Sequence, residues 1–202
     1  MKKLICGIAA LALLSACSVD NSPDSPPEAV ARAAYRSPEP PSVTLFTMVN
    51  NRTGKGGHSS LLVNASQRVI FDPAGSFRDE RVVERGDVLY GITPGWLQAY
   101  KSAHARQAFH VVAQEIPLSA AEAEKALRIV QQNGSVPGAF CAQSTSGILA
   151  QLDSLRNTRQ TFYPVDLMEQ IAEDPRVRTT KLFEDDEGDI IDGVRAAILA
   201  KQ

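Results

Sequence analysis

The sequence has few cysteines, no excess of charge of either sign and, after residue 14, no long apolar run. Only three of its 202 residues are cysteine, and the formal net charge is −2 at pH 7. With no basic run, this balance argues against a nucleic-acid partner. No His, Cys or carboxylate cluster has metal-ligand spacing and no Gly-rich phosphate loop occurs, so we expect neither a metal nor a cofactor.

The N-terminus predicts export and lipid attachment. Lys2 and Lys3 precede an apolar stretch, residues 4–14, that is too short to cross a bilayer of about 30 Å as a helix. The stretch ends in Leu-Ser-Ala-Cys, which resembles the lipobox of bacterial lipoproteins. The resemblance implies a signal peptide at 1–16 and acyl chains on Cys17, which would hold the protein at a membrane of the cell envelope. Ser18 follows the cysteine, and the absence of Asp there favours the periplasmic face of the outer membrane over the inner membrane.

The remaining chain is long enough for one domain. Residues 17–42 are rich in Pro, Ser and Ala and poor in core-forming residues, so we expect a lipidated terminus and a semi-extended tether with at most a turn of helix at 29–35. Residues 43–202 form the expected domain. The sequence does not predict its oligomeric state.

Strand and helix patterns are mixed without regular βαβ alternation. β-branched and aromatic content predicts strands at 43–49, 58–63, 68–72, 87–92, 108–116 and 177–183. Caps and apolar periodicity predict helices that begin near Pro94, Ala120, Cys141 and Pro164, and a terminal helix at 190–200. The expected fold class is therefore α+β.

One thiol is left unpaired in the expected mature chain. Cys6 leaves with the signal peptide and Cys17 carries lipid, so Cys141 remains. A lone cysteine outside the inner membrane is either buried and inert or kept for its reactivity. Cys141 stands where a loop enters a helix, and free N–H groups at a helix N-terminus favour the thiolate.

A reactive thiol needs a base, and three histidines are available. His58 begins a strand directly after two glycines and is the best candidate. His104 lies in a polar helical stretch and is expected to be solvated, whereas His110 lies in an apolar strand and is expected in the core.

The third member of a triad would orient the imidazole ring. Asp72 is the first choice, with Asn64 and Ser60 as alternatives on the strand of His58. Asp72 and His58 share a face only if the loop between their two strands has an odd number of residues. The alternative role for Asp72 is structural, because Asp-Pro-Ala-Gly is a good turn sequence.

Two motifs resemble a known family. G-H-S-S-L-L-V at 57–63 and F-C-A-Q-S-T-S-G-I-L at 140–149 are similar to motifs of the NlpC/P60 superfamily of papain-like cysteine hydrolases, in the reversed order of its circularly permuted branch. The resemblance covers about residues 43–155 and implies an antiparallel sheet packed against helices. It also implies Cys141 as nucleophile, His58 as base, and the backbone N–H of Cys141 in an oxyanion hole.

These observations support competing functions. The leading hypothesis is a membrane-anchored thiol hydrolase that cleaves an amide bond, such as one in cell-wall peptides, through Cys141, His58 and Asp72. An acyl or lipid hydrolase or transferase would use the same groups. The alternative from another class is a non-catalytic lipoprotein that keeps the fold as a binding or assembly module.

Overall fold

The computed structural model describes residues 23–75 and 77–185. The expected signal peptide, the expected lipidation site Cys17 and the helix expected at 190–200 lie outside these ranges. Within them the chain is α+β, with helices packed against an antiparallel sheet of seven strands. None of the helices in these two ranges has both the length and the apolar character needed to cross a membrane.

The sheet is built around two long antiparallel pairs. Its spatial order is β4-β5-β3-β2-β1-β6-β7, and every pairing is antiparallel. The strands are β1 (Ser42–Asn50), β2 (Gly56–Asn64), β3 (Arg68–Phe71), β4 (Val83–Arg85), β5 (Val88–Tyr90), β6 (Phe109–Pro117) and β7 (Arg178–Leu182). The six predicted strands are confirmed. β4 was not predicted, because three partly exposed residues carry no periodic signal.

In the described parts of the chain, five helices pack around the sheet. They are α1 (Pro27–Ala33), α2 (Pro94–His104), α3 (Ala120–Asn133), α4 (Cys141–Leu149) and α5 (Pro164–Ala172). The predicted caps are confirmed, since the side chains of Thr93 and Ser119 accept hydrogen bonds from the first turns of α2 and α3. α4 has nine residues, and Leu152 and Leu155, which follow it, reach the core through a turn and a 3-10 turn.

Both faces of the sheet are covered. Residues of β1 alternate between them: Val43 and Leu45 pack with α3, α4 and α5, while Phe46 and Met48 belong to a second core. α2 supplies Tyr100 and Ala103 to that second core. β1 is buried along almost its whole length. The first three residues of β2 are less buried, so polar groups can be placed there.

Residues 24–41, assigned above to a tether, contact the domain. The N–H of Ser25 donates to the carbonyl of Glu84 at 2.9 Å, and that of Gly86 donates to Asp24 at 2.7 Å. The guanidinium of Arg68, 1% exposed, lies over the ring of Tyr35 and pairs with Glu39 at 3.1 Å. The segment that composition predicts to be a semi-extended tether is thus bound to the domain by a buried arginine, a contact that composition alone does not indicate.

Candidate active site

The β2–β3 hairpin brings His58 and Asp72 to one face. Its loop has three residues, 65–67, and Leu61 pairs with Phe71. This odd count puts Asp72 opposite Ser60 and diagonal to His58, on the same side of the sheet. His58 Nε2 and Asp72 Oδ1 are 2.7 Å apart. Asp72 therefore binds His58 in addition to starting the turn that follows β3.

Cys141 is the first residue of α4, and α4 is fastened to β2. Thr145, one turn further along, hydrogen-bonds Ser59 across a side-chain distance of 3.0 Å and also donates to the carbonyl of Cys141 at 2.9 Å. Cys141 is 8% exposed, and its thiol lies close enough to the His58 ring and to the backbone N–H groups of Ser59 and Ala142 for each of them to lower its pKa. Since Nε2 of His58 is held by Asp72, Nδ1 is the nitrogen left for the sulfur. The structure thus brings the three predicted residues together.

The charges of these groups favour an ion pair. Burial lowers the pKa of His58, but the charge of Asp72, its hydrogen bond and the Cys141 sulfur outweigh burial and raise that pKa to about 10. Burial raises the pKa of Cys141, but the hydrogen bond and charge of His58 and the N–H groups of Ser59 and Ala142 leave it below the ordinary value. Burial raises the pKa of Asp72, but the charge and hydrogen bond of His58, together with His104 and the hydrogen bond from Tyr100, leave that pKa below its ordinary value. These shifts favour the thiolate, imidazolium and carboxylate forms of the three groups.

The start of α4 leaves backbone donors free. Its N-cap, Phe140, makes no side-chain cap hydrogen bond, and the first helical hydrogen bond is from Ser144 to Phe140. The N–H groups of Cys141, Ala142 and Gln143 thus have no partner within the helix. Ala139 holds a φ of 70°, a strained value for a residue with a side chain, at the turn that delivers the chain into the helix.

A second layer of polar side chains holds Asp72. The phenol of Tyr100 lies 2.6 Å from Asp72 Oδ1 and 2.7 Å from Ser60 Oγ. His104 was wrongly predicted to be solvated: it is 7% exposed, its ring stacks on His58 at 6.1 Å between centroids, and its Nδ1 donates to the Tyr100 carbonyl. The only advance signal for these residues is the four-residue spacing of Tyr100 and His104 on one side of α2.

The other candidates lie elsewhere. His110 was expected in the core, but it is only partly buried and contacts Asn51 and the exposed ring of Phe183. Asn64 donates to the carbonyls of Glu39 and Pro40 at the far end of β2 and does not approach His58. Ser60 contacts the triad only through Tyr100.

Asp87 connects the chain around Asp72 with the loop that leads into Cys141. Its carbonyl accepts from the N–H of Asp72 at 2.8 Å, and its carboxylate accepts from Ala74 and Val136 at 2.9 and 2.8 Å. Val136 belongs to the loop that leads into Cys141. Sequence analysis did not select Asp87, because a single acidic residue between two short strands gives no distinctive pattern.

Aromatic side chains lie near the start of α4. Phe140 directly precedes Cys141, and its ring meets that of Phe162 edge-on at 5.6 Å. Phe162 and Tyr163 are 52% and 73% exposed, although buried Thr161 and Pro164 fix the chain on either side of them. A Cβ at Gly56, two residues before His58, would collide with Pro164. We call Phe140, Phe162 and Tyr163 the aromatic surface.

Comparison of the sequence with protein-family models and curated proteins finds no match, and comparison of the fold with solved structures finds none either.

Proposed function

We propose that this chain is a thiol hydrolase with Cys141 as nucleophile, His58 as acid and base, and Asp72 as the residue that orients and charges His58. The observation that carries the proposal is the contact of 2.7 Å between His58 Nε2 and Asp72 Oδ1, beside a Cys141 thiol whose pKa the His58 ring lowers. A cysteine with only a structural role does not require a charged imidazole beside its thiol.

The first half of the reaction follows from the ion pair. The thiolate attacks the substrate carbonyl carbon, a C–S bond forms, and the oxygen takes the negative charge. The backbone N–H of Cys141, which has no partner within α4, is suited to stabilise that charge. The C–N bond of an amide then breaks, and the imidazolium of His58 gives its proton to the leaving amine.

Water completes the cycle. Neutral His58 takes a proton from water, whose oxygen attacks the thioester carbonyl. The C–S bond breaks, the acid product leaves, and the thiolate and imidazolium are restored. Asp72 keeps its charge throughout and fixes which nitrogen of His58 faces the sulfur.

The proposal includes the family and the location that the sequence suggests. The order His58 before Cys141, a helix that starts at the cysteine and a histidine on a neighbouring strand support a permuted NlpC/P60 domain. A lipid anchor at Cys17 would hold it at the cell envelope, where peptide amides of the cell wall are available. Metabolic labelling with a fatty-acid analogue tests the anchor, and Cys17→Ala should abolish the label.

Thiol reactivity tests the catalytic pair. In mature protein carrying Cys17→Ser, Cys141 is the only thiol left. We expect iodoacetamide to modify it at pH 6 at least about tenfold faster than a simple thiol, because most such thiols are protonated there. His58→Ala should remove this advantage. His110→Ala, which alters a histidine outside the site, should retain it.

Equal reactivity of Cys141 and a simple thiol, or no effect of His58→Ala, would support the binding-module alternative. Cleavage of cell-wall stem peptides is then read by mass spectrometry as a new amine and a new carboxylate, with Cys141→Ala as the inactive control.

A second substrate class is favoured by the aromatic surface. Exposed aromatic side chains beside a nucleophile suit a hydrocarbon chain better than a charged peptide. An acyl ester or amide would react by the same steps, with the acyl group carried on Cys141. Hydrolysis of p-nitrophenyl laurate against the acetate separates the two classes, since each buried methylene is worth ~0.8 kcal/mol.

The double variant Phe162→Ser, Tyr163→Ser should reduce the laurate-to-acetate ratio of kcat/KM. Phe183→Ser removes another aromatic residue, 61% exposed, and serves as the control. A ratio that stays near one in the unaltered protein would favour the peptide substrate.

A further inference from the structure

Tyr100 reaches the site from a different element than the three proposed catalytic residues. It lies on α2, on the face of the sheet that carries His58 and Ser60, and its side chain is fully buried. Its ring packs against Phe46 and Phe77 at 5.7 and 5.2 Å between centroids. These contacts hold the phenol oxygen at the carboxylate.

The hydrogen bonds around the phenol have one consistent arrangement. A carboxylate only accepts, so the single phenol proton of Tyr100 goes to Asp72 Oδ1, and the Ser60 hydroxyl donates to the phenol oxygen. His58 Nε2–H donates to the same Oδ1. Asp72 Oδ2 is buried and has no hydrogen-bond partner in the described part of the chain. Two donors thus converge on one oxygen.

We propose that Tyr100 is a positioning residue for the proposed hydrolase: it fixes Asp72 Oδ1 on His58 and, through its phenol proton, moderates the pull of the carboxylate on the imidazolium. Burial and the charge of Asp72 raise the pKa of Tyr100 well above its usual value, so the phenol remains a donor at every working pH. A weaker pull lets His58 release its proton to the leaving group.

Several groups face His58, and each could influence its titration. Asp72 and Cys141 contact it directly, His104 stacks on it from α2, and Tyr100 acts through Asp72. The pKa of His104 is lowered, chiefly by burial, so it stays neutral near pH 7 and adds no charge there. Tyr100 is therefore the group whose removal should change His58 through the carboxylate alone.

Titration of the ring by NMR tests this role. The protein has three histidines, and ¹⁵N-labelled imidazole signals can be assigned with His104→Gln and His110→Gln. In mature protein carrying Cys17→Ser, we expect Tyr100→Phe to raise the pKa of His58 by at least about half a unit, roughly threefold in its acid equilibrium. Ser60→Ala should raise it less, because it weakens the donor without removing it.

Phe77→Leu is the packing control. It disturbs the ring neighbours of Tyr100 but leaves the phenol, so it should lower the unfolding temperature without moving the His58 pKa. An unchanged or lowered His58 pKa in Tyr100→Phe overturns the inference, as does an equal shift in Phe77→Leu. This readout does not need turnover. Failure of the thiol-reactivity test would contradict the proposed function. The effect of Tyr100 on the pKa of His58 would still be measurable.

Discussion

The substitution Asp72→Asn removes the negative charge of this side chain and keeps its size and shape. The amide oxygen can still accept the Nε2–H of His58, so the hydrogen bond is retained and only the negative charge is lost. Asp72 is the main influence that raises the His58 pKa to about 10 against burial. Without that charge, burial remains the largest influence, and we expect the pKa to fall to the ordinary value of about 6.5 or below.

The size of the effect follows from these two values. At pH 7 a histidine with a pKa of about 10 is about 0.1% neutral, whereas one with a pKa of 6.5 is about three-quarters neutral. Cys141 would lose the imidazolium that opposes the effect of burial on its own pKa. We expect Asp72→Asn to reduce the rate of alkylation at pH 6 to 7 by one to two orders of magnitude, about 1.4 to 3 kcal/mol.

The assay is the rate of iodoacetamide modification of Cys141 from pH 4 to 10, in mature protein with Cys17→Ser. Unaltered protein should react already below the ordinary thiol range, because the Cys141 pKa is lowered, while Asp72→Asn should react only as the pH approaches that range. Asp153→Asn, which neutralises an exposed carboxylate paired with Lys125, is the control. An Asp72→Asn profile that overlays the unaltered one would refute the reasoning.

Three further substitutions test contacts at the site and at the segment that precedes β1. Gly75→Ala should abolish the low-pH reactivity of Cys141 while the fold persists, since a Cβ there would overlap Asp72 Oδ2 and displace the carboxylate; circular dichroism and alkylation rates check this. Arg68→Met should lower the free energy of unfolding by about 2 to 4 kcal/mol and expose residues 24–41 to protease, because its guanidinium donates to the Ile92 carbonyl and pairs with Glu39. In Cys141→Ala protein, Asp72 should still raise the pKa of His58 and stabilise the fold fully below about pH 6.5. This contribution should disappear as the pH rises through the folded-state pKa, which should lie below 10 because the Cys141 sulfur no longer raises it. Urea unfolding of Cys141→Ala with and without His58→Gln isolates it, and a pH-independent difference would contradict it.

Local patterns were sufficient to predict the elements that carry the three candidate residues. The alternation of β2, the Asp-Pro-Ala-Gly end of β3 and the start of a helix at Cys141 each depend on only a few neighbouring residues. The face on which Asp72 lies depended on one unknown, the number of residues between β2 and β3. The three-residue loop supplies it.

The second layer depended on contacts between distant segments. His104 lies in a polar stretch, KSAHARQ, that reads as a solvated helix end. It is buried because α2 crosses the face of the sheet where Asp72 and His58 already stand, and no local pattern shows which helix covers which face. The same holds for residues 24–41, which bind the domain through a buried arginine more than 25 residues away from most of them.

Pro73 explains why the Cys141 thiol can lie beside the backbone of Ser59 on β2. A proline has no N–H to donate to a strand ladder, so β3 ends at Phe71 and its chain turns away, with the N–H of Gly75 donating to the Asp72 carbonyl. Ser59 on β2 therefore has no partner on β3, and its N–H is available to the Cys141 sulfur. Had β3 continued for two more residues, the ladder would have occupied that N–H and pushed the start of α4 away. The same Asp-Pro step that sends a carboxylate back towards His58 thus opens the edge of the sheet at which the thiolate is stabilised.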